Sequence, residues 1–253
     1  LRGGNTSNVL LEPILRERLA KINTVQVSSQ RTTVFSEQNI TAGIDALRNL
    51  PMAEGYMTAS QVAYDLLTAG KTLEQIVDGD RKSYVMQYID WKHIENNAFH
   101  VTEEFAVSRT GMSDTYRPDI VLFVNGIPLC IIECKRPDIK DSLNQAISQH
   151  LRNQKDDGIR SLYVYSALLL ATNVNEVSYA TTGTPKKFWN KWTEQFVDKT
   201  AEELYRYKLS EKVNQKHVVS DMSWKEYRMC AEPTVQYGSL KTPSIQDSYL
   251  YNL

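Results

Sequence analysis

The segment from Arg117 to Asp138, RPDIVLFVNGIPLCIIECKRPD, constrains this chain more than any other. Ile120 to Val124 and Ile127 to Ile132 are dense in Ile, Val, Leu and Phe, and the Asn125-Gly126 pair between them tolerates the positive φ angles of a two-residue hairpin turn. Two adjacent, buried, antiparallel strands are expected. Pairing about that turn carries the start of the first strand to the end of the second, so Asp119 should lie near Glu133, Cys134 and Lys135. Glu133 and Lys135 are two positions apart and share a face. Two carboxylates and an ammonium at the mouth of an apolar sheet are costly to desolvate unless they are paired or bind something.

Metal-assisted hydrolysis of a phosphodiester suits this group. Asp119 and Glu133 are the hard oxygen ligands that Mg²⁺ prefers, the main-chain carbonyl of Cys134 offers a third, and water and substrate phosphate complete such a shell. Lys135 supplies a compact charge that can orient or deprotonate the attacking water, or neutralise charge developing on phosphoryl oxygens. Taken singly, each acid reads better as a solvated strand-end cap or a surface pair worth under ~1 kcal/mol. That reading does not explain why all three frame one buried hairpin.

At these residues the chain resembles the PD-(D/E)XK nuclease superfamily, with Pro118-Asp119 as the PD half and Glu133-Cys134-Lys135 as the EXK half. The motif is degenerate, and its flanks are more specific. Asn8-Val9-Leu10-Leu11-Glu12-Pro13, Asn96-Asn97-Ala98-Phe99, the run from Arg117 to Gly126 and a Gln-bearing helix after Lys135 together resemble the N-terminal region of the restriction, or motor, subunit of type I restriction-modification enzymes. The resemblance is tightest between Asn96 and Lys155. It implies a restriction-endonuclease-like α/β fold, a central mixed sheet flanked by helices, that cleaves double-stranded DNA with Mg²⁺ in the cytoplasm, in company with methyltransferase and specificity subunits. Helicase-like ATPase domains normally follow. No Gly-x-x-x-x-Gly-Lys-Ser/Thr sequence occurs here, so ATP is expected only in those further domains. One alternative is a DNA-repair or junction-resolving nuclease of the same superfamily; another, from a different class, is a catalytically silent DNA-binding or assembly domain.

The helix after Lys135-Arg136-Pro137-Asp138 can be capped by Asp138 or Asp141 and repeats Leu143, Ile147, His150 and Leu151 at helical spacing. In the resembling family this helix carries a Gln followed four residues later by Tyr, supporting the metal ligands and DNA. Here the matching pair is Gln149 and Asn153, so the aromatic half is missing. Gln149 joins Asp119, Glu133 and Lys135 as a candidate catalytic residue, with Gln145 one turn earlier as the alternative register. His150 reads as a helix-face residue rather than a ligand, and Arg152 and Lys155 as phosphate contacts or a solvated basic face. An earlier helix often contributes an acid in this family; Glu12 and Glu17 are weak substitutes.

At 253 residues and 42% hydrophobic, the chain can bury a substantial core. No stretch approaches a membrane span, the start Leu1-Arg2-Gly3-Gly4 is not a signal peptide, and no membrane partner is expected. Cys130, Cys134 and Cys230 form neither a disulfide framework nor a zinc pattern. The net charge of −1 is low for a free-standing DNA-binding domain, although Lys135, Arg136, Lys140, Arg152, Lys155 and Arg160 gather near the proposed site. Three regions are expected: an N-terminal helical region over 1–95, the nuclease core over 96–200, and a C-terminal extension or linker over 201–253. The first should hold a helix over residues 8 to 21 and three or four short helices between 36 and 94, with Tyr88 and Trp91 in the core. Phe99 to Val107 alternates as a strand that should pair with the hairpin, with Phe99, Val101, Glu103 and Phe105 on one face. Ser161 to Thr172 and Val177 to Thr181 should add strands, Gly183-Thr184-Pro185 should break the sheet, and Glu202 to Lys212 looks helical.

Overall fold

The computed structural model describes residues 4–28, 31–173 and 175–193. In chain order these form α1 (Glu12–Ile22), a hairpin of β1 (Thr24–Ser28) and β2 (Arg31–Val34), α2 (Glu37–Arg48), α3 (Tyr56–Ala69) and a second hairpin of β3 (Lys71–Val77) and β4 (Asp80–Met86). There follow β5 (Phe99–Glu103), the short pair β6 (Val107–Ser108) and β7 (Thr115–Tyr116), then β8 (Ile120–Val124), β9 (Ile127–Cys134), α4 (Ser142–Asn153), α5 (Arg160–Tyr163), β10 (Leu168–Thr172), β11 (Val177–Ala180) and β12 (Asn190–Lys191).

The central sheet has the order β12-β11-β10-β9-β8-β5. All its pairings are antiparallel except β9 with β10, which run parallel. A parallel neighbour cannot be reached by a tight turn and needs a crossover; α4 and α5 provide it, and this places α4 on the strand that carries Glu133. One face of the sheet sends Val121, Phe123, Ile131 and Leu169 into the main core, where they share a cluster with Leu15 and Leu19 of α1 and Ile40, Ile44 and Leu47 of α2. The spacing of these helical residues is that of one buried face. Ser36 caps α2, its side chain accepting the Asn39 N–H. Cys130, Ile132 and Leu170 lie on the other face of the sheet. Among the described residues no helix is long and apolar enough to cross a membrane.

The hairpin turn is as expected, with φ of 52° at Asn125 and 82° at Gly126. Its Asn side chain is fully buried. Oδ1 accepts the Ala98 N–H, while Nδ2 donates to the Tyr88 carbonyl and to Asn97 Oδ1, so one turn residue ties the approach to β5 onto the sheet. The Leu11 N–H donates to the Gly126 carbonyl at 2.9 Å, which docks the start of α1 on the same turn.

The register of β8 and β9 contains a step that decides where the acids go. Val124 pairs with Ile127 and Phe123 with Pro128, but Leu122 pairs with Cys130, leaving Leu129 as an extra residue on β9. A regular ladder running from this turn would set Asp119 opposite Ile132 and put Glu133 on the far face, because each one-residue slip reverses side-chain direction. The bulge removes that mismatch: Ile120 pairs with Ile132, and the next pair outward is Asp119 with Glu133. Pro128 has no N–H to give a ladder and is compatible with a bulge. The Leu129 carbonyl accepts the Ala167 N–H at the entry to β10.

Several expectations are corrected. The last helices expected before residue 94 are the β3–β4 hairpin, in which Leu73 faces Tyr84 across a turn with φ of 53° at Asp78 and 87° at Gly79; Asp-Gly is a hairpin signal as well as a helix stop. The β5 strand does pair with β8, but Phe99 and Val101 are 55% and 62% exposed. Phe105 lies beyond a positive φ at Glu104, which ends the strand, and is buried edge-on against Phe123. Trp91 is exposed while its indole N–H donates to the Leu67 carbonyl; Tyr88 is fully buried. The run from Ser161 begins inside α5 and becomes a strand only at Leu168. The break at Gly183 is followed by β12, which extends the sheet. The helix expected over Glu202 to Lys212 lies outside the described residues.

Candidate active site

Asp119 stands one residue before β8 and Glu133 one before the end of β9. The Asp119 carbonyl accepts the Glu104 N–H at 2.9 Å, and its Oδ2 accepts the Cys134 N–H at 2.7 Å. The carboxylate is thereby folded onto the neighbouring strand. Lys135 is anchored through its own N–H to the Thr172 carbonyl of β10, and its Nζ lies 3.7 Å from Asp119 Oδ2 and 3.3 Å from the Cys134 carbonyl oxygen. Asp119, Glu133, Lys135 and the Cys134 carbonyl therefore converge, as the hairpin argument expects. The Cys134 side chain itself is exposed, whereas Cys130 is buried.

Glu133 is fully buried. Burial pushes its carboxyl up to about 8; the neighbouring Asp119 acts in the same direction and Lys135 against it. A buried carboxylate beside a second carboxylate is unfavourable when ionised unless a cation lies between them. Two carboxylate oxygens and a carbonyl are hard donors too few to enclose an ion, and this donor set fits Mg²⁺, which keeps waters and takes phosphate oxygens, rather than a closed all-protein cage. Among the described residues no three His, Cys, Asp or Glu side chains gather as a metal cluster.

α4 lies over this group. Asp141 occupies its N-cap position in the left-handed region, with φ of 58°, and makes no side-chain cap; it instead accepts from Asn144 Nδ2. Gln149 Nε2 donates to Glu133 Oε2, while Gln145 Nε2 turns away to the Lys140 carbonyl at 2.9 Å, so the helix register brings Gln149 to the acids. Asn153, one turn on, is fully buried with Nδ2 3.4 Å from Glu133 Oε1. His150 is fully buried, 2.9 Å from the Leu170 carbonyl and 3.0 Å from Tyr163 Oη, a core histidine held neutral by burial with its pKa down to about 4.

The weak acid candidates of α1 are not at this site. Glu12 bonds Arg48 and Asn8, and Glu17 bonds Arg18. α1 docks at the turn end of the hairpin, while Asp119 and Glu133 sit at the other end, a strand length of roughly 17 Å away.

Three further groups complete the surroundings of the site. Tyr163 reaches Asn153 from α5. Tyr116, just before Arg117-Pro118-Asp119, has the guanidinium groups of Arg109 and Arg152 over its ring, each 4.5 Å from the ring centre. Lys186 joins Lys135, Gln145, Ser148, Gln149 and Arg152 around a groove of about 380 Å³ along α4. Their placement is tertiary, and local spacing gives no signal for it.

A mixed sheet flanked by helices, with two carboxylates and a lysine converging at the ends of a central hairpin, is a restriction-endonuclease-like α/β domain. The family described as the type I restriction enzyme R protein N terminus matches residues 2–188, and the chain belongs to that family. It is 32% identical over 133 residues to the MjaIXP endonuclease subunit of Methanocaldococcus jannaschii, covering 52% of this chain and 12% of that protein. It is 30% identical over 173 residues to the type I restriction enzyme HindI endonuclease subunit of Haemophilus influenzae, covering 67% of this chain and 15% of that protein. A third relative, the type I restriction enzyme SsaAORF53P endonuclease subunit of Staphylococcus saprophyticus, is 30% identical over 102 residues, 40% of this chain and 10% of its own length. The aligned regions thus span only about a tenth to a seventh of these relatives.

Proposed function

We propose that Asp119, Glu133 and Lys135 form the Mg²⁺-dependent phosphodiester-cleaving site of a type I restriction enzyme endonuclease subunit acting on double-stranded DNA. The observation that carries this reading is the bulge at Leu129, which turns Asp119 and the buried Glu133 to one face beside Lys135. Asp119, Glu133 and the Cys134 carbonyl would hold the ion. Mg²⁺, when bound, supplies Lewis-acid polarisation of the phosphoryl group and lowers the pKa of coordinated water. Lys135 Nζ orients the attacking water, or takes its proton, and offsets charge that builds on the phosphate. Gln149 fixes Glu133 from the α4 side, and the burial of Glu133 keeps bulk water off its rear. ATP hydrolysis and translocation belong to further, helicase-like domains, and the working partners are methyltransferase and specificity subunits that select the DNA in the cytoplasm.

Asp119→Ala, Glu133→Ala or Lys135→Ala in the full-length subunit is expected to lower DNA cleavage by roughly a thousandfold or more, the scale of several kcal/mol of transition-state stabilisation. DNA-stimulated ATP hydrolysis should be unchanged. Cleavage at the wild-type rate by any of these variants, shown to be folded by circular dichroism, removes that residue from the mechanism.

A further inference from the structure

The Glu133 carboxylate receives amides from two successive turns of α4, Gln149 on Oε2 and Asn153 on Oε1. The orientation of Asn153 is fixed by its neighbours. Its Oδ1 lies 3.3 and 3.1 Å from Arg152 Nε and a terminal guanidinium nitrogen, and a guanidinium only donates. The NH₂ end must therefore face the other way, to Glu133 Oε1 and to Tyr163 Oη, each at 3.4 Å. Arg152 in turn rests on the Tyr116 ring.

Proton directions along the rest of the chain of contacts follow from the same bookkeeping. The Leu170 carbonyl can only accept, so His150 Nε2 carries a hydrogen. The buried ring is neutral, so Nδ1 is a lone pair and takes the Tyr163 O–H at 3.0 Å. With its hydrogen committed, the Tyr163 oxygen meets Asn153 as an acceptor. Donation thus runs from one Asn153 N–H through Tyr163 and His150 to the Leu170 carbonyl, while the other Asn153 N–H donates to Glu133. Glu133, His150, Asn153 and Tyr163 are all fully buried.

We propose that Asn153, oriented by Tyr163 and Arg152, is a positioning residue that holds Glu133 Oε1 and so sets the cation affinity of the site. The proposal rests on the reading above that Glu133 is a cation ligand. Partners that orient a ligating carboxylate commonly contribute 10–100-fold to metal affinity.

The test is Mn²⁺ titration of the 253-residue chain, followed by the electron paramagnetic resonance signal of the free ion, on wild type, Glu133→Gln, Asn153→Leu and Tyr163→Phe. Circular dichroism and Tm are recorded for each. Wild type is expected to bind Mn²⁺ and Glu133→Gln to lose it. Asn153→Leu should weaken binding by about tenfold or more and Tyr163→Phe by severalfold, while the fold persists. If wild type and Glu133→Gln behave alike, the cation-ligand reading fails and this proposal falls with it. If wild type binds through Glu133 but both other variants bind as tightly, with only Tm lowered, Asn153 and Tyr163 are merely structural and the proposal alone is overturned. Should Asn153→Leu not fold, Tyr163→Phe, which keeps the ring and removes one hydroxyl, decides the matter by the same criterion.

Discussion

Gln149 and Gln145 lie one turn apart on α4, and their different partners separate them functionally. Gln149 donates to Glu133, while Gln145 donates only to the Lys140 carbonyl at the start of the helix. Loss of the first leaves a buried carboxylate oxygen without a donor. Gln149→Ala should therefore slow single-turnover DNA cleavage by the assembled enzyme about tenfold or more, and Gln145→Ala by no more than about twofold. A larger loss in Gln145→Ala would show that the wrong face of α4 has been assigned to the site. The proximity of Asp119, Glu133, Lys135 and Gln149 was legible in the sequence because one hairpin and the helix after it hold them within a short stretch of chain. Asn153 read as a loss for the opposite reason. Its meaning depends on Tyr163, which sits in the apolar run Leu162-Tyr163-Val164-Tyr165 and reaches it only through tertiary packing.

The β8–β9 hairpin was legible as an element, but its bulge was not. Asn-Gly between two apolar runs announces the turn, and a two-residue turn alone implies the register that would separate Asp119 from Glu133. Pro128 is the one local clue, since a proline in a central strand sits badly in a regular ladder. The β3–β4 hairpin was misread because Asp78-Gly79 is also a helix stop, and the exposed positions of both strands blur their alternation. The α1–hairpin junction yields a quantitative expectation. A Cβ on Gly126 would lie 2.6 Å from the Leu11 carbonyl oxygen at a φ of +82°, whereas one on Gly79, at φ +87°, would meet nothing within 4 Å. Both alanines pay the left-handed backbone cost, and only Gly126→Ala also forces α1 off the turn. Urea denaturation should show a loss of about 1 kcal/mol for Gly79→Ala and about 3 kcal/mol for Gly126→Ala. Equal losses would mean that the docking of α1 on the turn adds nothing to stability.

At the scale of the whole molecule, charge argues that this chain does not hold DNA by itself. Its 29 Lys and Arg are offset by 30 Asp and Glu. Several cations near the site already have acids: Arg136 bonds Asp138, Arg160 bonds Asp156, and Arg109 bonds Asp114 and Asp157. Lys135, itself 3.7 Å from Asp119, lines the groove along α4 with Arg152, Lys186 and the acid Asp141, which leaves three cations at most for phosphate. Phosphate binding driven by counterion release gains about 0.9 in salt slope per contact, so roughly three contacts predict a shallow slope near −3 and weak affinity at physiological salt. Under the proposed function, tight engagement would come from other domains and subunits that raise the local concentration of DNA at Glu133. Fluorescence titration of a labelled duplex at several salt concentrations, with this chain and with the full-length subunit, measures both quantities. The chain is expected to bind at least about a hundredfold more weakly, and Lys186→Glu should flatten its slope by about 1. Affinity equal to that of the full subunit would sink the delivery argument and mark the domain as a self-sufficient nuclease.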